Sequence, residues 1–287
     1  MLLSGAGGTT SSPGYRRHQA LHLERWWAWL PQGVRAGLGG AARKAALGQL
    51  GLGVGTALRR GLKAFAHADQ AGDARLASYF WWSPGEMRRG LYSAAMRDAV
   101  GAADESAPLL ESLRSIPAEH DALNRMLFLE SRHFLPDHNL NYTDKMGMAA
   151  GVEVRVPLLD LDLVALAARI PPAEKQRGML GKAIFKQAME PYLPHDVIYR
   201  PKSGFGAPLR RWLRQELRPQ VEATLNPEAL RARGLFDPAA VQRLVARDRG
   251  GQVDGGYTIF ALMCIELWCR MFVDQPVPAV PTLEVTR

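Results

Sequence analysis

Glu153 and Arg155 alternate with Val152, Val154 and Val156, so an extended backbone puts the acid and the arginine on one face and the valines on the other. On a covered strand such a pair can hold the two charges of an α-amino acid, or it can be an ion pair that serves only the fold. Lys182 opens a predicted helix over 182–190, the end at which a helix dipole disfavours a cation. A bound phosphate repairs that mismatch; a solvated lysine is the plain alternative. Lys202 lies beside Arg200 in a loop that carries Gly204 and Gly206, either a segment that closes over a ligand or a basic surface turn. Asp160 stands where a helix over 161–169 needs its N-cap, so it reads as a cap rather than a catalyst.

Helices position nearly all of these groups. Apolar spacing and stop signals predict them over 15–30, where Pro31 ends the run, over 34–62, weakened by glycines, and from Pro84 through 96. Residues 73–82 carry an aromatic stripe, Tyr79, Phe80, Trp81 and Trp82, suited to a core or a subunit contact. Further helices are expected over 106–115, 121–134, 144–150 with Thr143 as cap, 161–169, and 182–190 with Ile184, Phe185, Ala188 and Met189 inward. Three more follow over 209–223, 238–247 and 257–272, and the proline-bearing tail 274–287 is expected to be mobile. Only 152–156 and a stub at 1–3 read as strands, the stub running into the glycine turn Ser4-Gly5-Ala6-Gly7-Gly8. The expected fold class is therefore mainly α, the helical later portion of an α/β domain over 1–273, most of whose parallel sheet is missing upstream.

The chain has 287 residues, 47% hydrophobic and 22% charged, a balance that suits a packed core. Its net charge of +8 comes with arginines spread along the chain rather than gathered, so nucleic acid is only an alternative partner. Cys264 and Cys269, five apart on one predicted helix, point to different faces and are expected to be two buried thiols. Neither has neighbours at metal-ligand spacing, and no metal site is expected. No apolar run reaches the ~20 residues of a membrane span, and residues 1–13 do not read as a signal peptide, so a cytoplasmic protein is expected.

The stretch LPDHNLNYTDKMGMAAGVEVRVPLLD (135–160) is followed in order by LAARIPP (166–172), GKAIFKQAM (181–189), LP (193–194) and RPKSGFGAPLRRWL (200–213). This ordered series resembles the asparagine synthetase family and its relatives that form amides through acyl-adenylates. LLSGAGG (2–8) with GYRRH (14–18) resembles that family's turn LSG-acid-G-x-DELFGGY. The resemblance is dense over 134–213 and thin over 34–109. It implies an adenine-nucleotide α-hydrolase-like (PP-loop) synthetase domain, with Lys182 as the catalytic lysine on the phosphates of ATP and Ser4, Gly5 and Gly7 at the nucleotide. It also implies an acceptor side, or a structural role, for Asp144, Glu153, Arg155 and Lys202.

The implied reaction uses ATP and Mg²⁺ to adenylate a carboxylate, aspartate being the expected acceptor, before ammonia from glutamine displaces AMP. Ala6 stands where the family has an acid, and Thr9-Thr10-Ser11-Ser12 where it has Asp-Glu-Leu-Phe. Three carboxylates that would hold Mg²⁺ or orient the reacting groups are thereby lost. A short compensated frameshift would convert one motif into the other. The 287 residues hold no Ser-Gly-Gly-x-Asp-Ser loop and no glutaminase portion, so the expectation is a truncated or split chain with little synthetase activity alone. The alternatives are an inactive remnant, half of a split protein completed by a separate chain, or a relative that amidates another acceptor.

Overall fold

The computed structural model describes residues 1–8, 13–46, 65–83, 85–201 and 207–275. A two-residue strand β1 (Leu2–Leu3) is followed by helices α1 (Arg16–Glu24), α2 (Gln32–Ala46), α3 (Gly72–Ser78), α4 (Gly85–Arg89), α5 (Ala94–Val100), α6 (Ala107–Arg114) and α7 (Ala122–Leu129). A π-helix (Glu130–Leu140) runs on into α8 (Asn141–Ala149), then come β2 (Val154–Arg155), α9 (Leu161–Arg169) and α10 (Pro172–Lys175). The hairpin β3 (Gln176–Arg177) and β4 (Leu180–Gly181) leads into α11 (Ala183–Met189) and α12 (His195–Tyr199). Helices α13 (Leu209–Arg214), α14 (Arg218–Thr224), α15 (Pro227–Arg233), α16 (Pro238–Arg249) and α17 (Gly256–Phe272) complete the order. The described chain is mainly helical, with one small parallel sheet, β1 against β2, in the register Leu2↔Val154 and Leu3↔Arg155.

The residues gather into two compact units. The first draws its described residues from 1–42, 65–81 and 104–201, the second from 43–46, 82–103 and 207–275. In the first, Leu76, Leu113, Met126 and Leu129 form the core, with Leu21, Tyr79 and Phe80 packed on them. Met126 and Leu129 sit one turn apart on α7, which starts where the Asp121 carboxylate accepts the Leu123 N–H at 2.7 Å. The aromatic stripe is thus partly core, whereas Trp82 is 62% exposed. In the second unit Val221, Leu225, Leu230, Val241, Leu244 and Ile259 anchor the core. Helices α15 and α16 start at side-chain caps: Asn226 accepts the Ala229 N–H and Asp237 the Ala240 N–H, both at 2.8 Å.

Several boundaries differ from those the spacing predicts, each for a local reason. The helix expected to end near 134 continues to Ala149, because the π-turns accommodate Pro136, which has no N–H to donate. Thr143 is therefore inside a helix and not its cap; its hydroxyl donates to the Asn139 carbonyl at 2.6 Å. Helix α1 stops at Glu24 rather than 30, since the amides of Trp26 and Trp27 reach carbonyls only three residues back, Leu23 and Glu24. The run 209–223 breaks in two because Pro219, in the first turn of α14, cannot extend α13. On α11 Ala183 is buried, but Ala188, expected inward, is exposed. Cys264 is exposed and only Cys269 is buried, the two free thiols facing apart. Residues 47–64, Pro84, and 276–287 of the expected tail lie outside the described residues, while Asp274 at its start is held by Arg233 at 2.7 Å.

Candidate functional site

The parallel pairing brings the N-terminal turn to the strand after α8. The Leu2 N–H donates to the Glu153 carbonyl and the Ser4 N–H to the Arg155 carbonyl, both at 2.8 Å. Past β1 the chain turns at once: the Ala6 N–H donates to Ser4 Oγ at 3.2 Å, and the Gly8 N–H to the Gly5 carbonyl at 3.3 Å. Gly7 has φ +88°, a conformation that side-chain-bearing residues rarely adopt, and a Cβ there would also strike Leu159. A Cβ on Gly8 would lie 2.7 Å from Leu158 Cδ1 and 3.4 Å from Lys182 Nζ. The ammonium of Lys182 therefore rests against the bare backbone of the turn.

Two further features hold Lys182 there. Gly181 packs so tightly on the Pro13 carbonyl that no side chain fits between them. Lys182 itself sits at φ 58°, ψ 35°, and among the described residues no other non-glycine has positive φ. Left-handed backbone at a lysine costs about 1–2 kcal/mol, so the surrounding packing imposes it. The β3–β4 hairpin delivers Lys182 to this place, and it went unread in the sequence; Gly178, at φ +60° in its two-residue turn, was the available signal.

On the far side of the turn the chain is pinned by a buried polar cluster. His18 Nδ1 accepts the Gly14 N–H at 2.9 Å and the Tyr15 N–H at 3.1 Å, so its proton lies on Nε2. That nitrogen faces Glu130 Oε1 at 3.3 Å, and Arg17 Nε lies 2.5 Å from the same oxygen. Glu130 is fully buried, and the Arg17 guanidinium stacks 4.4 Å from the Phe80 ring centre and 4.5 Å from that of Phe134. Sequence reasoning missed Glu130. An acid directly after the apolar run Leu127-Phe128-Leu129 was the signal, because a buried carboxylate needs partners.

The remaining predicted residues are dispersed. Glu153 and Arg155 do pair, Nε to Oε1 at 3.1 Å, but on strand faces left 60% and 63% exposed, not on the covered strand expected. Asp144, on α8, lines an open cleft of about 530 Å³ with Pro136, Asp137, Leu140 and Asn141. Asp160 caps α9, accepting the Asp162 and Leu163 amides at 3.0 and 3.2 Å. Lys202, Thr9 and Thr10 lie outside the described residues. Among the described residues no three His, Cys, Asp or Glu side chains gather as metal ligands, and no helix is long and apolar enough to cross a membrane.

Comparison with known proteins adds a family. The chain is 35% identical over 158 residues to a Mycobacterium tuberculosis protein provisionally named asparagine synthetase (glutamine-hydrolyzing), a match over 55% of this chain and 24% of that one. It is 32% identical over 158 residues to "Asparagine synthetase (glutamine-hydrolyzing) 1" of Bacillus subtilis, covering 55% of this chain and 25% of that relative. It is 25% identical over 132 residues to "Amidase chyE" of Penicillium rubens, covering 44% and 20%. The chain thus spans about a quarter of the length of the first two relatives. No solved structure matches it significantly. The family model described as asparagine synthase matches residues 1–270, and with that match over nearly the whole chain, the protein belongs to the asparagine synthase family.

Proposed function

We propose that the first unit carries the phosphate-facing part of an ATP-dependent amide-forming site of the asparagine synthetase type. The observation that supports this most is the Lys182 ammonium lying against Gly8 in the glycine turn that follows β1. A cation held beside a glycine-rich turn suits a polyphosphate. In this reading an acceptor carboxylate, that of aspartate, attacks the α-phosphorus of ATP and the bond to pyrophosphate breaks. Ammonia drawn from glutamine then attacks the acyl-adenylate carbonyl and AMP leaves. Lys182 offsets charge on the departing pyrophosphate, and Ser4, Gly5 and Gly7 border the nucleotide. Glu153, Arg155, Asp144 and Lys202 belong to the acceptor side or to the structure that supports it. The fold in this reading is the helical part of a PP-loop type α/β domain over 1–273.

Mg²⁺ does not fit the residues present. Ala6 puts a methyl group in the turn, and no acidic cluster of ligand size occurs among the described residues. Adenylation by these residues alone is expected to be slow. Calorimetric titration with ATP, run beside ATP–pyrophosphate exchange with aspartate and a panel of other carboxylates, tests the reading. Measurable binding that weakens at least ~10-fold in Lys182→Met, with exchange near background, is expected. Binding indifferent to Lys182 removes the site; brisk exchange with aspartate overturns the inactivity.

A second reading, completion by a separate chain, rests on the sheet. Parallel sheets are normally covered on both faces, and two strands alone are marginal. Here Leu2 and Leu3 are 59% and 70% exposed. Further parallel strands paired to β1 would extend the sheet into one that helices can cover, and in this reading they carry a phosphate loop. Mixing this chain with the product of the adjacent reading frame tests that: slowed exchange of the Leu3 amide together with ATP–pyrophosphate exchange is expected, and neither effect appearing rejects it.

A further inference from the structure

Helix α17 is apolar all round, yet only half of it is covered. Gly256, Ile259, Leu262, Met263, Glu266 and Cys269 face the core of the second unit. The opposite arc carries Tyr257, Phe260, Ala261, Cys264, Trp268 and Met271, with Trp268 56% and Met271 63% exposed. The two charged residues of the helix are turned away from that arc: Glu266 is buried, and Arg233 and Arg270 donate to it at 3.0 and 2.8 Å. A surface helix ordinarily shows charge to solvent, so an uncharged outer face over some five turns marks a contact surface.

The geometry points to a second copy of this chain as the occupant: we propose that two α17 helices pack antiparallel about a two-fold axis passing near Cys264. The pattern is self-complementary. Positions 257, 260/261, 264, 268 and 271 recur at the 3.5-residue spacing of a helix–helix seam. They are also symmetric about 264: small Ala261 and Cys264 at the centre let backbones approach, while Phe260 meets Trp268 and Tyr257 meets Met271 across the axis. An isologous contact requires that mirror order.

Area and charge favour the same occupant. Aromatic and other large side chains bury ~150–250 Å² each when fully covered. Half-exposed as they are, the large outer residues of α17, with Trp82 stacked edge-on to Tyr257 at 5.8 Å, offer roughly 400–650 Å², the larger part of the ~800 Å² per partner of a standard interface. Charge at both ends of the helix is neutralised locally, Arg210 by Asp254 at 2.6 Å and Arg233 by Asp274 at 2.7 Å. Nothing there draws an anionic membrane or a nucleic acid.

Sedimentation of the purified chain from 1 to 100 μM, with copper–phenanthroline as oxidant, tests the proposal. The chain is expected to dimerise in that range. Oxidation, in which two thiols release two protons to solvent and give one electron to each of two copper(II) complexes, is expected to link Cys264 to Cys264. The link should persist in Cys269→Ser and vanish in Cys264→Ser. Trp268→Glu, at an exposed position, should weaken the dimer at least ~30-fold with an unchanged circular dichroism spectrum. Phe260→Glu serves if that variant misfolds. A chain that stays monomeric at 100 μM overturns the proposal, as does a dimer indifferent to Trp268 and Phe260, or a monomer that co-sediments with phosphatidylcholine vesicles.

Discussion

Lys182 combines an unfavourable backbone with an ammonium that lies against the turn. Replacing it by glycine removes the left-handed strain and the ammonium together, so stability and ligand affinity should move in opposite directions. Lys182→Gly is expected to gain about 0.5–1 kcal/mol in urea unfolding while losing ATP affinity in calorimetry. Gly181→Ala is the converse: its Cβ meets the Pro13 carbonyl, and a loss of about 1–3 kcal/mol is expected. Lys175 gives a pH-dependent prediction. It is 3% exposed, its Nζ donates to Asn124 Oδ1 at 2.8 Å, and burial holds its ammonium below the usual lysine value against the opposing pull of Asp121. From that lowered folded value up to about 10.4 the unfolded chain binds more protons than the folded one, so stability rises with pH across that window. Unfolding of the native chain and of Lys175→Met, measured from pH 7 to 10.5, should show the native chain gaining on the variant as pH rises. A parallel pair of curves contradicts this. The place of Lys182 at a helix start was legible from the apolar spacing that follows it; the burial of Lys175 was not, because it depends on α7, which is distant in sequence.

Helices with polar caps and strong apolar spacing were the legible elements. The helix over 161–169 has the limits the sequence predicts, with Asp160 accepting two amides at its start. Elements shaped by tertiary context were not. The π-helix takes in Pro136, which by local rules ends a helix, and the hairpin ahead of Lys182 has strands of only two residues each, below any useful periodicity. The π-helix begins at Glu130, which links it to α1 through Arg17 and His18. Removing one partner of a buried ionic cluster leaves the others uncompensated, so Glu130→Gln is expected to cost about 3–5 kcal/mol in chemical unfolding. Glu130→Leu paired with Arg17→Met should recover part of that loss, since no orphan charge remains while the buried His18 Nε2–H still lacks its acceptor. Equal losses in the single and double variants would show that packing around Phe80 and Phe134, not charge, accounts for the cost.

At the scale of the whole chain, sequence order hides how the two units are assembled. The second is stitched from segments far apart: Ser93 Oγ donates to the Gly234 carbonyl 141 positions later, and the Ser93 amide to Leu235. Local motifs cannot show such joins, whereas the turn and Lys182 were findable because the family resemblance spans them. Each unit closes a core from its own residues, the first around Leu113 and Leu129, the second around Leu225 and Val241. Units built this way open separately, with free energies set by their own packing. Leu113→Ala and Leu225→Ala each delete a side chain that is at most 1% exposed, and each should cost about 2–5 kcal/mol. Native-state hydrogen exchange resolves where that cost falls. Leu113→Ala is expected to speed exchange in α3, α6 and α7 and leave α14 to α17 unchanged, and Leu225→Ala to do the reverse. Acceleration spreading through both sets in either variant would mean that the chain unfolds as one cooperative body. Rates confined to one set would instead locate the stability that holds the turn against Lys182 in the first unit alone.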